Sequence, residues 1–251
     1  MQIDLDGRWG IGGKIHGGYL LRHLAVGAVS DDHPHPLAIS AHFLRAPEPG
    51  TADVKTDVLR TGRRVTQSRV SLSQSDLCVE ALVTTGRLDP DATPYWNDST
   101  PPELPPVEDC THMIPTPWGD RFRVGHLDFV DLRCDPATVT FASRVPGPAG
   151  RIAGWAQMPT EGPGPEILGL LVLADVMPPV TFDLGVPGWV PTLELTAYVR
   201  GIPAPGPLMV EQHAKLLEDG WLDEQCDIWD SRGRLVCQAR QLAGYRSPNA
   251  G

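Results

Sequence analysis

The chain repeats itself. Gly62 and Gly86 stand 24 residues apart, and Gly220 and Gly244 reproduce that spacing 158 residues later. At the same offset Gln67 meets Gln225, Leu77 meets Leu235 and Ala81 meets Ala239; the turn Pro47-x-Pro49-Gly50 recurs at an offset of 156 as Pro203-x-Pro205-Gly206. A two-residue length change between the turns reconciles the two offsets. One supersecondary plan is therefore used twice, and any fold for this chain must contain both copies.

The first copy shows what the plan is. A short strand pattern from Gln2 to Trp9 leads through the glycines at 10, 12 and 13 into HGGYLLRHLAVGAV, a helical stretch from His16 to Val29 that begins at Gly17 and Gly18. Paired glycines let a backbone or ligand approach closely, and the free N–H groups of a first helical turn can hold negative charge; the alternative is a tight turn and nothing more. From Leu37 onward apolar residues such as Val65, Val70 and Leu72 alternate with polar ones, broken at Pro47–Gly50, Thr61-Gly62 and Ser73–Ser75, which describes an antiparallel meander. Prolines then crowd residues 89–117, read as an extended linker between an N-terminal unit at 1–88 and a C-terminal unit at 118–251. The fold class is α+β: two antiparallel sheets, each around a helix, pairing edge to edge as one pseudo-symmetric body.

The second helix is PEILGLLVLADVMPP, from Pro165 to Pro179. It is apolar on every side, so it belongs inside a protein. Pro165 and Glu166 suit a first turn and Pro178-Pro179 stop the helix. Asp175 is the anomaly, because an anion in a last turn faces the negative end of the dipole and burial penalises its charge again. Perturbed carboxylates gather at functional sites, which sets a catalytic reading against a frayed, solvated end. Two further polar residues interrupt the second copy. Gln241 stands where the first copy has Val83, on the face that alternation assigns to Cys237 and Ala239. Thr192 opens the strand after the helix, where Thr is also simply a favoured strand residue.

A net charge of −10 argues against nucleic acid, whose binding rests on Lys and Arg neutralising phosphates. Five cysteines without a C-x-x-C pair suggest free thiols in a reducing compartment, with Cys226 and Cys237 facing each other across a hairpin turn at Asp230–Gly233. Neither a signal peptide nor a membrane-spanning run is legible, which makes a cytoplasmic protein the default. The loop DDHPHP, Asp31 to Pro36, offers histidines and carboxylates, but no second ligand pair at a recognisable spacing, so it reads as solvated and neither metal nor cofactor is expected.

Taken together, HGGYLL, SAHFLRAPEPG, LADVMPP, PTLELTAYVRG and QLAGYR, in that order, resemble the type II acyl-CoA thioesterases, over nearly the whole chain except the linker. The resemblance implies a double hotdog and a water-activating trio of Asp, Thr and Gln, which falls on Asp175, Thr192 and Gln241. The family often has Thr-x-Asp-His where this chain has Thr192-Leu193-Glu194-Leu195. Acyl-CoA is the implied substrate and a homo-oligomer the implied assembly. An oxyanion would face N–H groups beside His16, Gly17 and Gly18, and Arg60, Arg63 and Arg64 are candidates for the coenzyme phosphates. The competing readings are a double hotdog that binds acyl-CoA or acyl carrier protein without cleaving it, and a hotdog enoyl-CoA hydratase, which needs an Asp close to a His. His16 is the one histidine suitably near a helix start, and no Asp follows it within ten residues.

Overall fold

The computed structural model describes residues 1–117, 122–143, 149–158 and 166–246. The first copy contains β1 (Gln2–Leu5), β2 (Gly10–Ile11), β3 (Lys14–Ile15), α1 (Gly17–Ala28), β4 (His35–Phe43), β5 (Gly50–Thr61), β6 (Val65–Ser73) and β7 (Leu77–Gly86). The second contains β8 (Thr111–His112), β9 (Asp131–Cys134), β10 (Arg151–Gln157), α2 (Glu166–Leu173), β11 (Thr192–Val199), β12 (Leu208–Glu218), β13 (Trp221–Trp229) and β14 (Leu235–Gly244). Twelve of these strands form one antiparallel sheet in the order β1-β5-β6-β7-β4-β11-β14-β13-β12-β10-β9-β8.

That order is nearly a palindrome about the β4–β11 seam, where the two halves join edge to edge and neither central edge is left unpaired. At the seam Ser40 pairs with Thr196, its own repeat equivalent at an offset of 156, so the pseudo-two-fold axis passes between them; their hydroxyls lie 2.8 Å apart. The same offset carries β6 onto β13, Val65 to Trp221 and Ser73 to Trp229, while β7 maps onto β14 at 158, Leu77 to Leu235 and Gly86 to Gly244. The two extra residues therefore lie in the turn after β13, not between the earlier turns. Gln67 consequently corresponds to Asp223 rather than to Gln225, whereas the Leu77, Ala81 and Val83 equivalences hold.

The helices pack against each other on one side of this sheet. Leu170, Leu171 and Val172 of α2 and Leu21 and Leu24 of α1 are fully buried, each contributing on the order of 1.5–3 kcal/mol. Helix α2 ends at Leu173, earlier than the prolines suggested, so Asp175 lies in the turn beyond it rather than in its last helical turn. Pro165 lies outside the described residues. Parts of the 89–117 segment are tied to the sheet: Trp155 Nε1 donates to the Pro105 carbonyl at 2.9 Å, and β8 adds an edge strand to β9. The expectation of a solvated 31–36 loop is also corrected. His33 is buried against Thr66 Oγ1 at 2.9 Å, and His35 Nδ1 accepts from the Leu88 N–H at 2.9 Å.

The helix contact depends on one glycine. A Cβ on Gly18 would come within 2.7 Å of the backbone oxygens of both Leu171 and Val172, so the start of α1 lies directly against the end of α2. Gly18→Ala should therefore destabilise the fold by about 1–3 kcal/mol through overpacking. Denaturant unfolding of the variant checks this, with an unchanged slope and a lowered midpoint as the expected result.

Candidate active site

The contact between the helices brings Asp175 to the positive end of α1. Its Oδ2 accepts from the Gly18 N–H at 2.9 Å, and the Gly17 N–H also stabilises the charged carboxylate. A Cβ on Gly17 would stand 2.7 Å from that same oxygen, which explains the glycine pair by close approach. Here the sequence reading needs correcting: these N–H groups face a carboxylate of the protein, so they do not form an open oxyanion hole. Burial is the dominant influence on Asp175 and raises its pKa above the usual carboxylate value; His16 and the two glycine N–H groups pull the other way.

His16 caps the same helix. Its Nδ1 accepts from the Tyr19 N–H at 3.2 Å, which assigns the proton to Nε2, and Nε2 donates to the Asp175 carbonyl at 2.8 Å. The imidazole thus anchors both the helix start and the backbone that carries Asp175. His126, from a 3-10 turn at Gly125–Asp128, tilts against it with ring centroids 4.5 Å apart. It is 3% exposed, and neither ring nitrogen has a well-formed hydrogen bond, although the Val176 backbone is close enough to favour the protonated ring slightly. Burial, and then His16, hold its pKa far below the ordinary imidazole value.

The wall opposite is built on the sheet. Thr192 enters the site because of a β-bulge: β11 pairs Thr192 with Ala243 but Glu194 with Leu242, so Leu193 is the extra residue. Without it, Thr192 would share the outward face of Glu194 and Thr196; the bulge turns it to the face of Ala243 and Gln241. Glu194 bonds instead to Ser40 and Thr196 at the seam. Thr192 Oγ1 donates to Gln241 Oε1 at 2.7 Å, and Gln241 Nε2 donates in turn to Glu224 Oε2.

Glu224 is a residue of this cavity that sequence reasoning did not single out. It is 2% exposed, its Oε1 accepts from the Val180 N–H at 2.7 Å, and Gln212 donates to it as well. Burial raises its pKa to about 7 against the pull of these donors, with the Asp175 charge adding to the rise. The signal was available in the alternation of β13, where Leu222, Glu224, Cys226 and Ile228 share the buried face.

Asp175, Thr192, Gln241, Glu224, His16 and His126 all line one cavity of about 770 Å³. Apolar side chains make up most of the remaining wall, with Phe141 and Phe182 meeting edge to face. Lys14 and Arg45 supply basic groups to its lining, each paired with a carboxylate, Glu48 and Asp76. Arg60, Arg63 and Arg64 are not brought there. They lie at the β5–β6 turn, the far end of a twelve-residue strand whose first residue is nearest the site; at ~3.4 Å per residue this separates them by the length of the sheet. The five cysteines are free and buried, and Cys226 pairs with Ala239, so it is not opposite Cys237. Among the described residues no helix is long and apolar enough to cross a membrane.

Residues 5–86 match the model of the acyl-CoA thioesterase N-terminal domain, and residues 100–245 that of the acyl-CoA thioesterase C-terminal domain. An uncharacterised protein of Mycobacterium tuberculosis is 32% identical over 262 residues, covering 96% of this chain and 89% of the relative. A crystal structure from Thermobifida fusca YX, named as a candidate thioesterase II, superposes with a TM-score of 0.88 at 33% identity, covering 98% of this chain and 92% of that one. The acyl-CoA thioesterase II TesB2 of Mycobacterium marinum shares the fold, with a TM-score of 0.72 at 18% identity over 94% and 90% of the two chains. The chain belongs to the acyl-CoA thioesterase family, the type II double-hotdog hydrolases that act on thioester bonds.

Proposed function

We propose that the protein hydrolyses acyl-CoA through a water held between Asp175 and Thr192, without a covalent intermediate on the enzyme. The observation that carries this reading is the polarity of the Thr192–Gln241 bond. The Thr192 hydroxyl directs its proton to Gln241 Oε1 at 2.7 Å, so the lone pairs of Oγ1 remain to accept. The Gly18 N–H engages Oδ2 of Asp175, and on this reading Oδ1 accepts from the water. A water between them donates one hydrogen to each acceptor and keeps a lone pair for the thioester carbon.

The chemistry then closes. Asp175 takes the proton as the water oxygen bonds to the carbonyl carbon, and its raised proton affinity, caused by burial, suits it to that role. The second Nε2 hydrogen of Gln241, not needed by Glu224, meets the carbonyl oxygen as it gains charge. The carbon–sulfur bond breaks, and the thiolate recovers the proton from Asp175. The acyl group lies along the aromatic wall of the cavity, and the coenzyme leaves past Lys14 and Arg45.

A hydratase finds one supporting observation: His16 Nε2 is 3.6 Å from Asp175 Oδ2, an Asp–His pair assembled from opposite halves of the chain. Both His16 nitrogens are already committed, however, to the Tyr19 N–H and the Asp175 carbonyl. The imidazole has no free position from which to move a proton on a substrate.

Free-thiol release from acyl-CoA of graded chain length tests the reading. Asp175→Asn should keep the fold and lower kcat by about 10²–10⁴-fold, the usual effect of losing a general base; unchanged kcat would exclude the mechanism. Loss of enoyl-CoA absorbance without thiol release would select the hydratase. In the same assay Arg45→Ala should raise KM roughly 2–5-fold with little effect on kcat, in line with up to about 1 kcal/mol for an exposed charge contact. Replacing Arg60, Arg63 and Arg64 together should leave KM unchanged.

A further inference from the structure

We propose that Glu224 is a positioning residue: its carboxylate holds the Gln241 amide with the oxygen toward Thr192, and protonating Glu224 turns that amide round and disables the water site. The proposal rests on the Asp175–Thr192–Gln241 reading and adds to it a residue that the acid, hydroxyl and amide trio does not include.

Three donors converge on Glu224: the Val180 N–H on Oε1, the Gln241 amide on Oε2, and Gln212 from β12. A carboxylate only accepts, so Gln241 must present its NH2 there and its oxygen to Thr192. The Val180 N–H belongs to the backbone and cannot rotate away. A proton arriving at Glu224 therefore settles on Oε2, the oxygen that faces Gln241. That O–H now needs an acceptor, and the amide supplies one by turning over. Gln241 Nε2 then donates to Thr192 Oγ1, and the displaced hydroxyl proton points into the cavity. There it binds the lone pair of the water that should attack, where previously the hydroxyl accepted that water's proton. One proton on Glu224 thus converts Thr192 from acceptor to donor.

The surroundings place this change in an accessible range. Burial brings the Glu224 pKa to about 7. The titratable groups facing it are Asp175, from the segment after α2, and the Cys226 thiol on its own strand, with His16 and His126 beyond Asp175; β12 and β14 contribute the uncharged Gln212 and Gln241. The thiol is held well above its usual pKa by burial, so it stays neutral through this range.

The test is a mutant cycle with a pH profile, using thiol release from an acyl-CoA that the wild-type protein cleaves. Wild-type kcat should rise through a midpoint near pH 7. Glu224→Gln reproduces the protonated form, because its single oxygen goes to Val180 and its NH2 forces the Gln241 amide over. It should lower kcat by about 10–100-fold at every pH, remove that limb, and leave KM within about twofold. In a Thr192→Val background the same change should cost clearly less than in the wild-type protein, since the part of its effect that runs through Thr192 is already gone and only the contact of Gln241 Nε2 with the carbonyl oxygen is left to lose. Wild-type kcat and pH profile in Glu224→Gln would overturn the proposal, as would a full additive loss in the double variant. Wild-type turnover in both Asp175→Asn and Thr192→Val would instead remove the underlying mechanism, whatever Glu224 does. Should Glu224→Gln not fold, Glu224→Asp serves in the cycle: its shorter carboxylate releases Gln241 and should lower kcat, and retention of full kcat would overturn the proposal.

Stability supplies an independent reading. A carboxyl whose folded-state pKa is raised holds its proton more tightly in the folded than in the unfolded chain, so its contribution is complete below about pH 4.5 and declines as pH rises toward about 7. The melting temperature of Glu224→Gln relative to wild type should rise across that window. A difference independent of pH would overturn the protonation step.

Discussion

The hydrogen bond between the Gly18 N–H and Asp175 ties together the helices, the two halves and the chemistry. A carboxylate in an apolar interior is unstable unless positive charge or donors surround it. Here the donors are the free N–H groups at the start of the other half's helix, which a helix presents whether or not anything binds them. The cost of burying Asp175 is thereby reduced without a neutralising Arg or Lys, and its proton affinity stays above that of an ordinary carboxylate. A full salt bridge there would lower its pKa and remove that raised proton affinity. The small residues at 17 and 18 follow from this demand, because any side chain would hold the helices apart.

The site also depends on how the sheet is closed. Because β4 and β11 pair, the beginning of one half's helix and the end of the other's are fixed relative to a single continuous sheet. Phe43 at the end of β4, Thr192 at the start of β11 and Gln241 on β14 consequently reach the same cavity. The segment around Val124 and His126 also lines it, and is joined to the residues ahead of α1 by the Gly12 N–H to Arg123 carbonyl bond at 2.8 Å and by Trp9 stacked on Phe129.

Much of this was legible in the sequence because repeat and alternation are periodic signals. The helix at His16–Val29, the meander and the inward face of Cys237, Ala239 and Gln241 follow from spacing, and the desolvated setting of Asp175 from the apolar run that leads to it. What escaped depends on departures from period. Thr192 faces inward only because Leu193 is an extra residue, and a bulge leaves no trace in an alternation too short to reveal the slip. The turn after β13 absorbs the two-residue insertion, so an offset fitted to glycines misaligned Gln67. Arg60, Arg63 and Arg64 looked like an anion site because charge clusters are visible in sequence, whereas the end of the sheet to which a hairpin projects is not. Glu224 was visible in principle, a carboxylate within the apolar phase of β13, but nothing near it in sequence identified Val180, Gln212 and Gln241 as its partners.

The repeat explains why a fold can tolerate such a site. At the positions equivalent to Gln241, Glu224 and Thr192, the first half carries Val83, Ser68 and Pro36, none of them ionisable. Two halves built identically would each bury a carboxylate pair, with the associated desolvation repeated on both sides of the axis. Fusion into one chain removes that symmetry constraint. The first half is free to fill its inward face with Val70, Leu72, Val79 and Val83, all buried, and to contribute its helix start as the cradle. The second half concentrates the groups that oppose folding, Asp175 and Glu224, in one cavity. The asymmetry is therefore a division of physical tasks: one copy chiefly stabilises the shared sheet and supplies N–H donors, and the other uses part of that stability to keep two carboxylates where water would ordinarily be needed to solvate them.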